Sequence, residues 1–369
     1  MQPTNIPDTP TWQQRRINWR NRIFASPRFR AFALGNPLMR GVGRRKAESL
    51  FNLVNGFVYS QVLLACVRTG LVERLAAGPL TIGEAATSVN LPVDAMDRLL
   101  KAAAAIDIAE RLSDGRYMLG AQGASLHGSP GLAEMVEHHA LFYADLTDPV
   151  AMLRRGRGGG QLAAYWAYDE GHDVNADAVA PYSALMAASQ AMVAEQVLGA
   201  YRFDRHRRLL DVGGGAGVFV QAVGAKYPRL ETAVFDLPAV AARASHGLSA
   251  HGGDFFEDAL PAGFDLISLV RIMHDHDDEP VLKLLRNIAA ALPCDGKLLI
   301  AEPMAGTKSA RAMGDGYFGL YLWAMGQGRP RTIEENCAML RAAGLGNIHV
   351  LQTDLPLAAR VILAGHTKA

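Results

Sequence analysis

The residues with the clearest chemical potential lie at Leu209-Leu210-Asp211-Val212-Gly213-Gly214-Gly215-Ala216-Gly217, where an apolar run passes through one acid into a glycine turn. Glycines let the backbone approach a ligand closely, and a helix starting near Ala216 offers unpaired N–H groups to the ligand's polar end. Gly213 and Gly215 are therefore candidate cofactor contacts. Asp236 ends the next apolar run, at a place where an acid can hold both ribose hydroxyls. Together these residues predict a nucleotide-type cofactor, and two details choose which. A dinucleotide fingerprint wants a third glycine three places after Gly215, where this chain has Val218. Asp211 would face a pyrophosphate unfavourably, whereas it suits a cationic amino-acid ammonium. S-adenosylmethionine is the cofactor that satisfies both.

A second cluster, His274-Asp275-His276-Asp277-Asp278-Glu279, mixes imidazoles with carboxylates and invites a divalent-metal reading. Several of its acids precede Pro280 and a predicted helix, where negative charge favours the N-terminus, so we read the run as a capping turn with no metal.

The elements that must hold these residues alternate after Tyr201: a strand over Arg208 to Val212 and a helix from Ala216, a strand over Thr232 to Leu237 and a helix from Pro238. A strand over Phe264 to Arg271, a helix from Glu279 and a strand over Lys297 to Glu302 follow. That order predicts parallel βαβ units. Two last strands, near Ile348 to Gln352 and Ala359 to Ala364, are joined by a short turn at Asp354-Leu355-Pro356, which predicts an antiparallel C-terminal strand.

Upstream, apolar residues recur at helical spacing from about Ala47 to Leu75. Thr81 with Glu84 forms a capping-box pattern, Asn90-Leu91-Pro92 breaks that helix, and a second helix follows from Val93 to about Ala105. Ile106 to Leu119, turning at Ser113-Asp114-Gly115, predicts a hairpin. Helix, turn, helix, hairpin is the order of a winged helix. Its second helix mixes Asp94 and Asp97 with Arg98 and Lys101, where a DNA reader would concentrate cations, so dimer packing is the expectation and nucleic-acid binding is not. From Gly131 to Val197 the pattern is mainly helical, with a flexible break expected at Arg154-Arg155-Gly156-Arg157-Gly158-Gly159-Gly160.

Lysine plus arginine (37) nearly balance aspartate plus glutamate (36), which gives no general case for a nucleic-acid partner. The first 46 residues are different. They carry Arg15, Arg16, Arg20, Arg22, Arg28, Arg30, Arg40, Arg44, Arg45 and Lys46 against Asp8 alone, interleaved with Trp12, Trp19, Phe24, Phe29 and Phe32. Such an arm packs on the body or a partner subunit, or meets an anionic membrane surface peripherally. The three cysteines, Cys66, Cys294 and Cys337, are scattered, in keeping with a reducing cytoplasm. No apolar run approaches the roughly 20 residues of a membrane span. The expected division is an arm over 1–46, a winged-helix-like dimerisation domain over 47–125, helices of the linker and substrate pocket over 126–200, and a catalytic domain over 201–369.

From about Leu50 onward the chain resembles the small-molecule O-methyltransferases that include plant caffeate and flavonoid enzymes. The matching motifs are Leu210 to Gly215 for the cofactor loop, Phe235-Asp236-Leu237-Pro238 for the ribose, Gly252-Gly253-Asp254-Phe255-Phe256 for the adenine, and His274-Asp275 for catalysis. The resemblance implies an α/β fold: a Rossmann-like seven-stranded methyltransferase sheet, last strand antiparallel, preceded by a helical winged-helix domain that forms homodimers. It further implies that Met186 and Ser189 line the methionine end of the cofactor, that Arg271 joins the cofactor site, and that Glu302 buttresses His274. Where plant relatives carry a second acid this chain has Pro330, within Gly328-Arg329-Pro330-Arg331-Thr332, leaving His274 to Glu302 and Asp275. Segments such as Gly56 to Leu63, Leu185 to Gln190, Val270 to Asp278 and Glu302 to Thr307, with the Ser26-Pro27-Arg28-Phe29 turn, are similar to purple-bacterial carotenoid enzymes. Those methylate the tertiary hydroxyl of hydroxyneurosporene and demethylspheroidene.

On that resemblance His274 takes a proton from the acceptor hydroxyl as its oxygen attacks the sulfonium methyl. An imidazole of pKa about 6.5 falls roughly 5 kcal/mol short of a phenol and about 13 kcal/mol short of a tertiary alcohol, so the proton must leave as the new bond forms. Phe142, Tyr143, Trp166, Met304, Met313, Tyr317, Phe318, Tyr321, Trp323 and Met325 offer a large apolar acceptor pocket. His138 and His139 read as buried structural histidines. The rival functions are methylation of a phenol or polyketide and, more distantly, a winged-helix regulator that binds the same cofactor.

Overall fold

The computed structural model describes residues 11–129, 131–165 and 190–367. Met186, Ser189 and Trp166 lie outside them.

Seven strands form one mixed sheet: β3 (Arg208–Val212), β4 (Glu231–Asp236), β5 (Ser249–Gly252), β6 (Leu266–Val270), β7 (Lys297–Glu302), β8 (His349–Leu351) and β9 (Arg360–Ala364), in the order β5-β4-β3-β6-β7-β9-β8. β9 runs antiparallel to both β7 and β8. The last strand in the chain is thus antiparallel as expected, and it inserts between β7 and β8, leaving β8 at the edge. Side chains alternate between two buried layers, as strands covered on both faces require. Leu210, Val212, Ala233, Phe235, Ile267, Leu269, Leu298 and Ile300 pack with residues of α14 (Asp278–Ala291) and α16 (Ile333–Ala342). Leu209, Val234, Leu266, Val270, Leu299 and Ala301 pack on the other face with α12 (Val218–Lys226) and α11, described over 190–200. β5 was not expected. Its Ser-Ala-His-Gly sequence has no apolar alternation because it is an edge strand, largely exposed.

The sheet reverses its order of addition at β3 and β6, and such a switch opens a crevice at the carboxyl ends of the strands. Asp211, Asp236 and the His274 turn all lie at those ends.

The N-terminal region begins with α1 (Trp12–Ala25), α2 (Pro27–Gly35) and α3 (Arg40–Arg68), the last running unbroken through positions 46 and 47. α3 is long and apolar enough to cross a membrane by length and composition, contrary to the expectation that no run approaches that size. Ser60 and Gln61 interrupt the apolar run in sequence, and the continuous helix carries through them. Around Leu64 and Cys66, α3 is buried against α4 (Leu71–Ala77), α5 (Ile82–Ser88) and α6 (Val93–Ala105). The Thr81–Glu84 capping box is formed, and Met96, Leu100 and Ala103 turn one face of α6 inward. β1 (Ala109–Arg111) and β2 (Tyr117–Leu119) make the expected hairpin, its turn eased by Gly115 at φ 88°.

α7 (Ala121–His127), α8 (Leu132–Asp145), α9 (Pro149–Arg155) and α10 (Gln161–Tyr165) lead toward the catalytic domain. There a π-helical turn (Ala312–Tyr317) continues into α15 (Phe318–Met325). Phe142, Met152, Leu162, Tyr321, Leu322 and Met325 form a separate core between α8, α9, α10 and α15.

Candidate active site

Asp211 sits on β3 directly opposite Ser268 of β6, whose hydroxyl donates to Asp211 Oδ1 at 2.6 Å. Ser268 was not foreseen, although it is the one polar residue in an otherwise apolar strand. Burial pushes the Asp211 carboxyl up to about 7, the Ser268 bond pulling against it and the charge of Asp236 adding to it. Asp236 accepts from the Gly215 N–H and from the Leu237 N–H, each at 2.8 Å. It is raised by burial to about 6 against the pull of those two donors.

The glycine turn is shaped from both sides. Gly213 at φ 73° and Gly217 at φ 84° are left-handed, where a side chain is strained, and a Cβ there would also press on the Ile272 and Leu248 side chains at 2.3 and 2.1 Å. Gly215, at φ 57°, is the exception: nothing lies within 4 Å of where its Cβ would project. The loop therefore offers a cradle on the side of Gly215. Phe255 comes within 3.7 Å of the Gly213 Cβ position and packs edge-on against Phe256 at 4.6 Å. Asp254 closes its own turn, Oδ1 accepting from the Phe256 N–H at 2.8 Å. Arg271 leaves β6 in the left-handed region, φ 61°, a strained backbone of the kind found at working sites.

His274 lies on a 3-10 turn (Met273–Asp275) and is buried. Glu302 Oε2 accepts from its backbone N–H at 3.1 Å and contacts its Nδ1 at 3.2 Å, while Asp275 Oδ1 stands 3.1 Å from its Nε2. Burial lowers the affinity of the ring for a proton, but the two carboxylates outweigh burial and carry His274 up to about 9. The ring edge also meets Phe318, with centroids 5.4 Å apart.

What fixes the turn comes from far along the chain. Arg331 is fully buried and donates to the carbonyls of Met273 and His276 (2.7 Å) and to Asp278 Oδ1 (2.7 Å). The Arg329 N–H donates to the His274 carbonyl at 2.9 Å. Arg331 stands beside Pro330 in the sequence, and nothing local there marks it. The acids of the capping run divide: Asp275 faces His274, Asp277 is the N-cap residue of α14, and Asp278 pairs with Arg329 and Arg331.

On the acceptor side, Tyr317 and Tyr321 stack with centroids 5.5 Å apart, edged by Phe142 and Phe318. His139 Nε2 pairs with the Tyr317 hydroxyl at 2.7 Å and His138 Nε2 with that of Tyr321 at 2.6 Å. Burial, with a contribution from His139, lowers His138 to about 4, and burial lowers His139, so both are neutral links between α8 and α15. Met325 joins this wall. Met304 does not: it packs in the sheet core, and Tyr143 is half-buried outside the aromatic cluster.

Comparison with known proteins adds the missing context. Residues 143–346 match an O-methyltransferase domain, and residues 51–128 match an O-methyltransferase dimerisation domain. The chain belongs to the O-methyltransferase family. It is 40% identical over 354 residues to the demethylspheroidene O-methyltransferase of Cereibacter sphaeroides, covering 93% of each chain. It is also 40% identical over 357 residues to that of Rhodobacter capsulatus, covering 95% of this chain and 90% of the relative. Human N-acetylserotonin methyltransferase, solved in complex with SAM, superposes with a TM-score of 0.74 at 22% identity, over 88% of this chain and 98% of the other.

This O-methyltransferase uses S-adenosylmethionine, and its dimerisation domain makes it a homodimer. The residues present fit the cofactor. Two adjacent buried carboxylates are costly unless a cation joins them. Among the described residues neither Asp211 nor Asp236 forms an ion pair. A ligand that brings an ammonium to Asp211 and ribose hydroxyls to Asp236 complements them, with Gly215 leaving room for its approach.

Proposed function

We propose that this enzyme methylates the tertiary hydroxyl of an acyclic carotenoid of the hydroxyneurosporene or demethylspheroidene type, with His274 as general base. The near full-length 40% identity to two demethylspheroidene O-methyltransferases carries the substrate assignment. The aromatic wall of Phe142, Tyr317, Phe318 and Tyr321 supports it, being suited to a long polyene. When bound, S-adenosylmethionine supplies an electrophilic methyl group. Asp211 and Asp236 hold its polar ends, Asp254 and Phe255 its adenine, and Met186, Ser189, Leu237 and Arg271 complete the pocket.

The base role rests on the two-carboxylate cradle. With both ring nitrogens facing carboxylates, the resting imidazole is the charged form. Once Nε2 loses its proton, that nitrogen can accept from an incoming hydroxyl while Nδ1 keeps its contact with Glu302. The two carboxylates raise the proton affinity of His274 toward that of a weakly acidic hydroxyl, a gain realised where the pH leaves the ring neutral. A weakly acidic acceptor gains most from such a base.

A polyene resides in membranes, and the arm carries residues suited to contact with one. Trp12, Trp19, Phe24, Phe32 and Leu38 are exposed among the arginines of α1 to α3. In this reading 1–46 form the arm, 47–125 the dimerising domain, 126–200 the helices toward the acceptor and 201–369 the catalytic domain. The working place is the cytoplasmic face of the membrane, touched peripherally. Flotation with phosphatidylglycerol vesicles checks the arm: the full chain rises with them and a chain lacking residues 1–38 does not, equal behaviour contradicting the contact.

Labelled cofactor offered with a 1-hydroxy acyclic carotenoid, a catechol and a flavonoid tests the acceptor. Label is expected in the carotenoid. Label in the phenols alone would replace the carotenoid reading with a phenolic one.

A further inference from the structure

The segment Arg154 to Gly160 reads in sequence as a flexible break, yet it is docked backbone to backbone against the catalytic side of the molecule. The Gly158 N–H donates to the Trp323 carbonyl of α15 at 3.0 Å. Gly158 has φ 69°, and a Cβ there would come within 3.1 Å of Gly326 Cα, so the close approach needs glycine at that position. On α8 the Asp145 carboxylate accepts from the N–H groups of Gln161 and Leu162 at 2.8 and 3.0 Å, anchoring the far end of the loop to the acceptor wall.

Arg157 projects from the position just before the first of those anchors. Its Nη1 donates to both carboxylate oxygens of Asp277, at 2.8 and 3.0 Å, and its Nη2 donates to the Gly328 carbonyl at 2.7 Å. Asp277 also accepts from the Gly328 N–H at 3.1 Å. Gly328 in turn lies so close to the His274 carbonyl that a Cβ on it would be 2.2 Å away, and the next N–H, of Arg329, donates to that carbonyl. The guanidinium fork thus grips both partners of the turn that carries His274: the acid after it and the glycine packed beneath it.

We propose that Arg157 is a positioning residue, and that its glycine-rich loop latches the acceptor-binding helices α8, α10 and α15 to the His274 turn. The latch keeps the acceptor hydroxyl and His274 in register, and it rests on the reading of His274 as the base. Arg157 and Asp277 are both partly exposed, and ion pairs so exposed contribute little to stability. A fork joining these two loops for stability alone would therefore gain little, whereas a small displacement at a reacting centre is costly in rate.

The test compares Arg157→Gln, Asp277→Asn and the double variant in the full-length enzyme, following kcat, cofactor Kd, thermal midpoint and amide hydrogen exchange. Each single variant is expected to lower kcat about tenfold, with cofactor Kd and midpoint close to those of the parent. The double variant should lose less than the sum of the singles, since both disrupt the shared Arg157–Asp277 contact. Exchange at the Gly328 and Arg329 amides should accelerate in all three. Unchanged kcat with unchanged exchange would overturn the latch, as would additive losses in the double variant. If His274 is not the base, a His274→Ala enzyme keeps its activity while the exchange result still decides whether Arg157 holds the turn.

Discussion

The two halves of the active site are held in opposite ways. The centre of the cofactor half is local: Asp211, the glycine turn and Asp236 lie on two neighbouring strands and the turn that follows the first, with Ser268 joining from the adjacent strand β6. The catalytic turn borrows its rigidity. The carbonyls of Met273, His274 and His276 are met by Arg331 and by the Arg329 N–H, and Glu302 of β7 meets the ring. A site built from one contiguous motif responds to changes within that motif. A turn clamped by distant segments is exposed to changes anywhere along the clamp.

Separating the halves by mutation gives the largest effect first. His274→Ala should lower kcat by about a thousandfold or more, within the range for loss of a general base, while calorimetry finds cofactor affinity unchanged. A variant that also loses the cofactor would merge the two halves. Asp211→Asn should do the reverse, weakening cofactor binding by about tenfold to a hundredfold as a charge-assisted contact is lost, with a smaller effect on kcat at saturation. Arg331→Lys, which keeps the charge but loses the fork, should lower kcat about tenfold and reduce the thermal midpoint, because buried carbonyls lose donors. A kinetically silent Arg331→Lys would show that the clamp does not matter to His274.

The cofactor half has a pH dependence of its own. Asp236 and Asp211, raised to about 6 and about 7, are protonated at pH 5 and ionised at pH 8. A cationic ligand should therefore bind more tightly as pH rises through that window. The ligand-free fold should lose stability over the same rise, because the native carboxyls hold protons that the unfolded chain has released.

The same contrast explains what could be read in the sequence. The Thr81–Glu84 capping box, the Gly115 hairpin and the Asp211 to Gly217 loop are contiguous patterns, and each forms where expected. β5 escaped because an exposed edge strand needs no apolar alternation. Arg331 and Arg157 escaped because their partners lie far away in sequence, and a buried arginine looks like any other until the fold closes around it. Met304 was drawn toward the pocket by its company in the sequence, whereas the turn after β7 points it into the sheet core.

The central claim, that two carboxylates make His274 a strong base for a weakly acidic hydroxyl, is tested most directly by the pH profile of kcat/KM for the acceptor. Because His274 works only when neutral and its pKa is raised to about 9, the rate should climb with pH through the neutral range and level off near 9. In Asp275→Asn the plateau should begin at lower pH, since a charge that holds the proton is gone. A parent profile already flat from pH 7 upward, or an inflection unmoved in Asp275→Asn, would contradict the account.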